Sequence, residues 1–313
     1  EVKPAARRAR FGMTLAAVFA VAALMASTLV SDDTVDDWRQ ETVHDGHDMT
    51  GAGAHGDHAA GTSAAGLGLE QDGFRLTAVD APGTVDTEGP LSLVITGPSG
   101  DPVTDFDLGH EKELHLIVVR ADGRHFRHAH PVRDADGTWS IPWRWAAAGT
   151  YRVFADFVPA QTGAGMTLSS TVQVAGRYMP VAAAPAARAS VAGYDVAVEG
   201  ALVAGEPSRL TMQITRNGRP VTPLQPYLGA FGHLVALREG DLAFLHVHPD
   251  GGAPEPGQTS GPEIVFEATA PTAGRYLLYL DFQVDGRVHT APFVIDAAAP
   301  QDSGSAGNDP GAG

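Results

Sequence analysis

The chain has 313 residues and a net charge of −16, which excludes the broad cationic surface that nucleic-acid binding needs and disfavours an anionic membrane surface. It contains no cysteine, so disulfides, thiolate zinc sites and CxxC redox pairs are excluded and any metal chemistry falls to His, Met and carboxylates. The length accommodates two cores of about 100 residues each with connecting segments.

Residues 1–10 are basic, with Lys3, Arg7, Arg8 and Arg10, and precede an uncharged apolar run over 11–30. A run of about 20 apolar residues matches one helical crossing of a ~30 Å hydrocarbon core. The reading favours an uncleaved single-pass anchor, with everything after it outside the cytoplasm; a cleaved signal, and hence secretion, is the alternative. Residues 31–67 are acidic, then rich in Gly, Ala and His, and cannot bury enough apolar surface to offset their ordering entropy, which predicts a disordered tether. Within it His44, His47, Met49, His55 and His58 interleave with Asp and Gly as a metal-capture tract. Soft Met beside His points to copper, while Asp beside His also suits zinc or nickel.

From residue 68 onward, short runs rich in Val, Leu, Ile, Thr and aromatics alternate with Gly, Pro and Asp turns, the pattern of an all-β chain. An internal repeat organises them. Pro102-Val103-Thr104 matches Pro220-Val221-Thr222, and the register continues without a gap to Pro131 and Pro249. A second block aligns Ala148-Gly149, Tyr151 and Asp156-Phe157 with Ala273-Gly274, Tyr276 and Asp281-Phe282. The expected architecture is therefore two tandem immunoglobulin-like β-sandwich domains, 68–177 and 191–297, joined by a Pro- and Ala-rich linker at 178–190 and followed by a disordered tail at 298–313. Trp139, Trp143 and Trp145 alternate as a strand does and are expected to pack apolar surface.

The repeat carries His115, His128 and His130 onto His233, His246 and His248. Asp122-Gly123 and Gly240-Asp241 each read as a two-residue hairpin turn. Pairing Ala121 with Arg124 sets Ile117 opposite His128 and His115 opposite His130; pairing Glu239 with Leu242 sets Val235 opposite His246 and His233 opposite His248. Opposed residues share a face, so three imidazoles converge in each copy. Ile117, Val119 and Phe126, or Val235, Leu237 and Phe244, share that face, which is thus expected to be the sandwich core with the histidines at its rim. Neutral imidazoles in such a place suit Cu(II) or Zn(II). Asp156 and Asp281 fall at matching positions as a fourth ligand or as partners that orient imidazole N–H groups. His110 and His125 have no counterparts and read as surface residues.

The segments HLIVVRADGRHFRHAHP (115–131), AGTYRVFADF (148–157), YLGAFGHLVAL (227–237), LAFLHVHP (242–249) and AGRYLLYLDF (273–282) resemble those of exported two-module bacterial proteins described as secreted or heavy-metal-binding. More distantly the His-bearing sandwich is similar to YtkA-like and CopC-like periplasmic copper proteins, although nothing here supplies the N-terminal histidine of a CopC-like Cu(II) site. The anchor, the tether and the two His triads together point to a membrane-anchored metal-binding protein, for copper before zinc on ligand type, acting in homeostasis or delivery with a membrane-bound or exported metalloprotein as partner; the likeness to copper proteins is one of fold. Two other readings stay open: a metal-free tandem binding or adhesion protein, and a three-His metalloenzyme, against which no paired general base is apparent.

Overall fold

The strands follow from period-two alternation: Leu91, Leu93 and Ile95 are buried in one strand and Leu210, Met212 and Ile214 in its repeat, with the intervening residues turned outward. The computed structural model describes residues 66–300, His246 and Pro256 excepted. The expected anchor, the tether ligands His44, His47, Met49, His55 and His58, and the tail beyond residue 300 lie outside the described residues. Among the described residues no helix is long and apolar enough to cross a membrane.

The first module carries β1 (Glu70–Gln71), β2 (Phe74–Asp80), β3 (Glu88–Thr96), β4 (Phe106–Asp107), β5 (Leu114–Arg120), β6 (Arg127–Ala129), β7 (Val132–Arg133), β8 (Thr138–Arg144), β9 (Gly149–Pro159) and β10 (Met166–Val174). Its sheets run β1-β2-β3-β8-β7 and β10-β9-β5-β6, with β4 on β9. The second module carries β11 (Arg188–Val191), β12 (Tyr194–Glu199), β13 (Leu202–Val203), β14 (Pro207–Arg216), β15 (Arg219–Pro220), β16 (Gly232–Arg238), β17 (Phe244–Leu245), β18 (Val247–Pro249), β19 (Glu263–Thr269), β20 (Gly274–Val284) and β21 (Arg287–Ala298). Its sheets run β11-β12-β14-β19-β18, with β15 on β14, and β13-β21-β20-β16-β17. Apart from the parallel β13–β21 pair the ladders are antiparallel, and both modules are immunoglobulin-like sandwiches.

The three tryptophans of β8 and the residue following it are buried in the first core, and Trp145 Nε1 donates to the Pro82 carbonyl at 2.6 Å.

Where the two hairpin ladders form, their register is as derived: Ile117 pairs with His128, and Leu237 with Phe244, while His130 lies beyond the end of the β5–β6 ladder. The turns themselves are wider than two residues. Gly123 N–H donates to the Arg120 carbonyl and Arg120 N–H to that of Arg124, while Leu242 N–H donates to the Arg238 carbonyl with Leu242 left-handed at φ 60°. Arginine–aspartate pairs set these turns: Arg120 forks onto Asp122 at 2.7–2.8 Å, and Arg238 clasps Asp241.

The expectation that Ile117, Val119 and Phe126 face the sandwich core is overturned. Leu114, Leu116 and Val118 enter that core, and every residue of β5 is buried because its other face meets the second module. There Ile117, Val119 and Phe154 pack with Val235, Leu237, Leu242, Leu277 and Tyr279 as a third apolar cluster. The Phe126 and Tyr279 rings stack at 3.9 Å with 4° between planes, and Tyr279 Oη donates to the Gly123 carbonyl. The connecting segment is tied down as well: Val181 N–H donates to Asp122 at 3.0 Å, and Arg275 donates to the Ala183 carbonyl at 2.9 Å.

Candidate metal centre at the module junction

β5 brings His115 and β6 brings His128 to the face turned toward the second module, and His130 follows where the chain leaves β6 for β7 in the opposite sheet. One ligand nitrogen from each of these three rings lies within 4.8 Å of the others. His115 Nδ1 stands 3.0 Å from His128 Nε2 and 3.2 Å from His130 Nε2. Two nitrogens bound tetrahedrally to one ion at ~2.0–2.1 Å stand ~3.3 Å apart, so the spacing fits a shared ion after a shift of a few tenths of an ångström.

Proton placement sharpens this fit. His115 Nε2–H donates to the Gly109 carbonyl at 2.9 Å, which in the neutral ring leaves Nδ1 as a lone pair. His128 Nδ1–H donates to Asp281 Oδ2 at 2.8 Å, which in the neutral ring leaves Nε2 as a lone pair. Two acceptors then face each other at 3.0 Å with no proton between them, an arrangement that a cation relieves. Burial pushes His115 down to about 4, with the neighbouring His128 and His110 acting the same way and the Gly109 hydrogen bond opposing. Burial likewise pushes His130 down to about 3, reinforced by His128 and His115. Both rings are therefore in the form that binds metal at neutral pH.

Asp281 is 3% exposed and belongs to the second module, yet it orients a histidine of the first; it also accepts from Thr290 Oγ1 at 2.5 Å. Sequence reasoning paired each aspartate with its own module. The repeat does place Asp156 beside His115 and Asp281 beside His233 as ladder partners, but the Asp281 carboxylate reaches across the junction. Asp156 accepts from Thr167 Oγ1 at 2.7 Å and lines the junction cavity.

The second triplet is arranged differently. His233 matches His115 closely: its Nε2–H donates to the Tyr227 carbonyl at 2.8 Å, and burial pushes it down to about 4. His246 lies outside the described residues. His248 is not opposite His233, because β18 has already crossed to the other sheet, where His248 pairs with Glu267 and is exposed. The crossing comes earlier here, after Leu245 rather than after Ala129. His110, read as a surface residue, is exposed, but its ring stands 5.1 Å from that of His233 and 6.1 Å from that of His115. The only sequence sign of this was its place five residues before His115. His125 is exposed in the turn between β5 and β6, its ring 6.4 Å from that of Tyr151.

No curated protein matches the chain. Among solved structures it is similar to invasin, a bacterial integrin-binding protein, at 12% identity over 72% of this chain and 39% of that one, with a TM-score of 0.23. It is similar to the D0-D1 domain of intimin at 11% identity over 69% and 90%, with a TM-score of 0.19. The fibronectin(III)-like modules of Clostridium thermocellum CbhA match at 12% identity over 72% and 94%, with a TM-score of 0.20. The repeat read from the sequence coincides with two matches to one family model, over residues 69–176 and 189–299, whose description names neither an activity nor a metal. With the two matches together covering more than half of its length, the chain belongs to the family described as a domain of unknown function, DUF8832.

Proposed function

We propose that this chain is an exported, membrane-tethered metal-binding protein that holds a transition-metal ion, copper before zinc, on His115, His128 and His130. The observation that carries the reading is the convergence of their nitrogens within 4.8 Å, with a carbonyl and a carboxylate turning two lone pairs toward one point. An apolar surround of Ile117, Val235 and Phe244 limits solvent at the site and strengthens coordination there. The tether histidines and Met49 serve as the outer capture tract, and the chain hands metal to a membrane-bound or exported acceptor.

The His128–Asp281 contact favours a second reading. A proton held between His128 and His115 fills the same gap as an ion, and the cluster then acts as a polar clasp between two modules of a metal-free binding protein. Titrating the full chain with Cu(II) and Zn(II) against a chelator, beside His115→Ala with His128→Ala, separates the two. Tight binding that the double variant loses while still folded supports the metal site; a parent that binds no ion, together with a double variant of much reduced stability, supports the clasp.

A further inference from the structure

One turn in each module sets the tautomer of a histidine, His115 or His233, on the strand that follows it. In the first, Gly109 and Lys112 exchange backbone hydrogen bonds at 2.9 and 3.0 Å, with His110 and Glu111 both left-handed at φ 45° and 65°. In the second, Tyr227 and Ala230 do the same at 2.8 and 3.3 Å, with Leu228 at 53° and Gly229 at 75°. These are type I′ turns, and left-handed non-glycine residues are disfavoured, so the geometry is held by its surroundings. The turn carbonyl accepts from His115 Nε2 in one module and His233 Nε2 in the other, six residues later in both. The two turns correspond in hydrogen bonding and backbone conformation but share no residue, and the first central residue is buried Leu228 in one and exposed His110 in the other.

His110 therefore stands where the repeat predicts an apolar side chain. It lies between the buried His115 and the partly buried His233, and all three line a cavity of about 140 Å³ together with His128, exposed His248 and Asp156. His233, its Nε2–H committed to Tyr227, keeps Nδ1 as its free lone pair. In exposure the three rings rank His110, His233, His115, with His110 within reach of both others.

Resting on the metal reading above, we propose that the junction holds a second, outer ion position on His233 and His110, through which ions load the buried triad. His110 is the ligand able to serve either position. The module boundary thus works as a two-step path for one soft or borderline divalent or monovalent cation, not as two independent sites.

The test uses the full chain with His44, His47, His55 and His58 changed to Ala, titrated with Cu(II) and followed by electron paramagnetic resonance. Two ions are expected, and with the His115 and His233 rings within about 11 Å of each other by way of His110, the two-ion form shows dipolar broadening that the one-ion form lacks. His110→Ala, at an exposed position, weakens the second ion about tenfold or more and slows loading of the first; His233→Ala removes the second ion. One ion whose affinity and loading rate neither variant changes overturns the outer position and leaves the metal reading standing, as do two ions without broadening. No binding at all overturns both.

Discussion

Changing Asp281 to Asn keeps an oxygen that accepts from His128 Nδ1–H but removes the charge behind it, so it isolates the electrostatic help one module gives the other's ligand. From Asp281 Oδ2 the path to an ion runs through the 2.8 Å hydrogen bond, the imidazole ring and a coordinate bond of ~2 Å, about 7 Å in all. Across ~7 Å a unit negative charge stabilises a dipositive ion by ~5 kcal/mol at an effective dielectric of 20 and by ~1 kcal/mol at that of water. Partners that orient a ligating histidine are worth 10–100-fold in affinity, ~1.4–2.7 kcal/mol, which falls inside that bracket. Asp281→Asn is therefore expected to raise the dissociation constant of the buried site about tenfold, and Asp281→Ala, which also frees the ring, by up to about 100-fold. Competition titration against a chromophoric chelator measures this, with Asp296→Asn, an exposed partner of Arg275, as the reference variant. A folded Asp281→Asn chain that binds within twofold of the parent refutes the cross-module role.

Two further outcomes follow from the junction without any ion. In chelator, the unfolded chain takes up protons at His115 and His233 below the ordinary histidine value of 6.5, while the folded chain refuses them down to about 4. Stability is thus full above pH ~6.5 and falls as the pH drops through that window, by up to ~3 kcal/mol per ring, readable as a falling urea midpoint; a flat midpoint between pH 7 and 4 contradicts the burial argument. Tyr279→Ala removes a buried stacked ring and is expected to cost ~3–5 kcal/mol, whereas Tyr279→Phe, losing the bond to the Gly123 carbonyl, costs ~1 kcal/mol. Equal losses in urea unfolding would place the stabilisation in the hydroxyl and not in the packing.

Strand content, the two modules and the register of Ile117 against His128 were legible because they rest on local regularities. Alternation marks β3 and β14, and ungapped matching from Pro102 to Pro131 fixes the repeat. The wider turns escaped because Asp122-Gly123 looks the same in a two-residue hairpin and in a bulged one; the bonds that hold this turn from outside, from Val181 N–H to Asp122 and from Tyr279 Oη to the Gly123 carbonyl, are tertiary contacts. The face of β5 was misassigned for a different reason. Leu114-His-Leu-Ile-Val-Val is apolar on both sides, so periodicity identifies a strand buried on both faces without saying what covers each. The destination of the Asp281 carboxylate and the place of His110 depend on how the modules dock, which no window of sequence contains. His248 left the cluster because the sheet crossing moved by a few residues, a change that leaves HxHP intact.

The docking itself has a logic that explains where the histidines ended up. Phe126 corresponds to Phe244 in the repeat, and Phe154 to Tyr279; Phe126 stacks on Tyr279, and Phe154 lies 5.9 Å from Phe244. These are one contact made twice, the signature of an isologous interface in which the same patch serves both partners. Covalent connection keeps two such patches at an effective concentration on the order of millimolar, so the junction forms without the affinity that a free dimer would need. It also frees the copies from being identical. Tyr279 carries a hydroxyl that Phe154 lacks and bonds the opposing turn with it, and His110 occupies the position that Leu228 keeps apolar. A symmetric interface places His115 beside His233 by geometry alone; the departures from symmetry gather three imidazoles on the buried side and leave exposed His110 beside His233 on the other. Direction along the cavity, from His110 inward, is a property that neither module could have by itself.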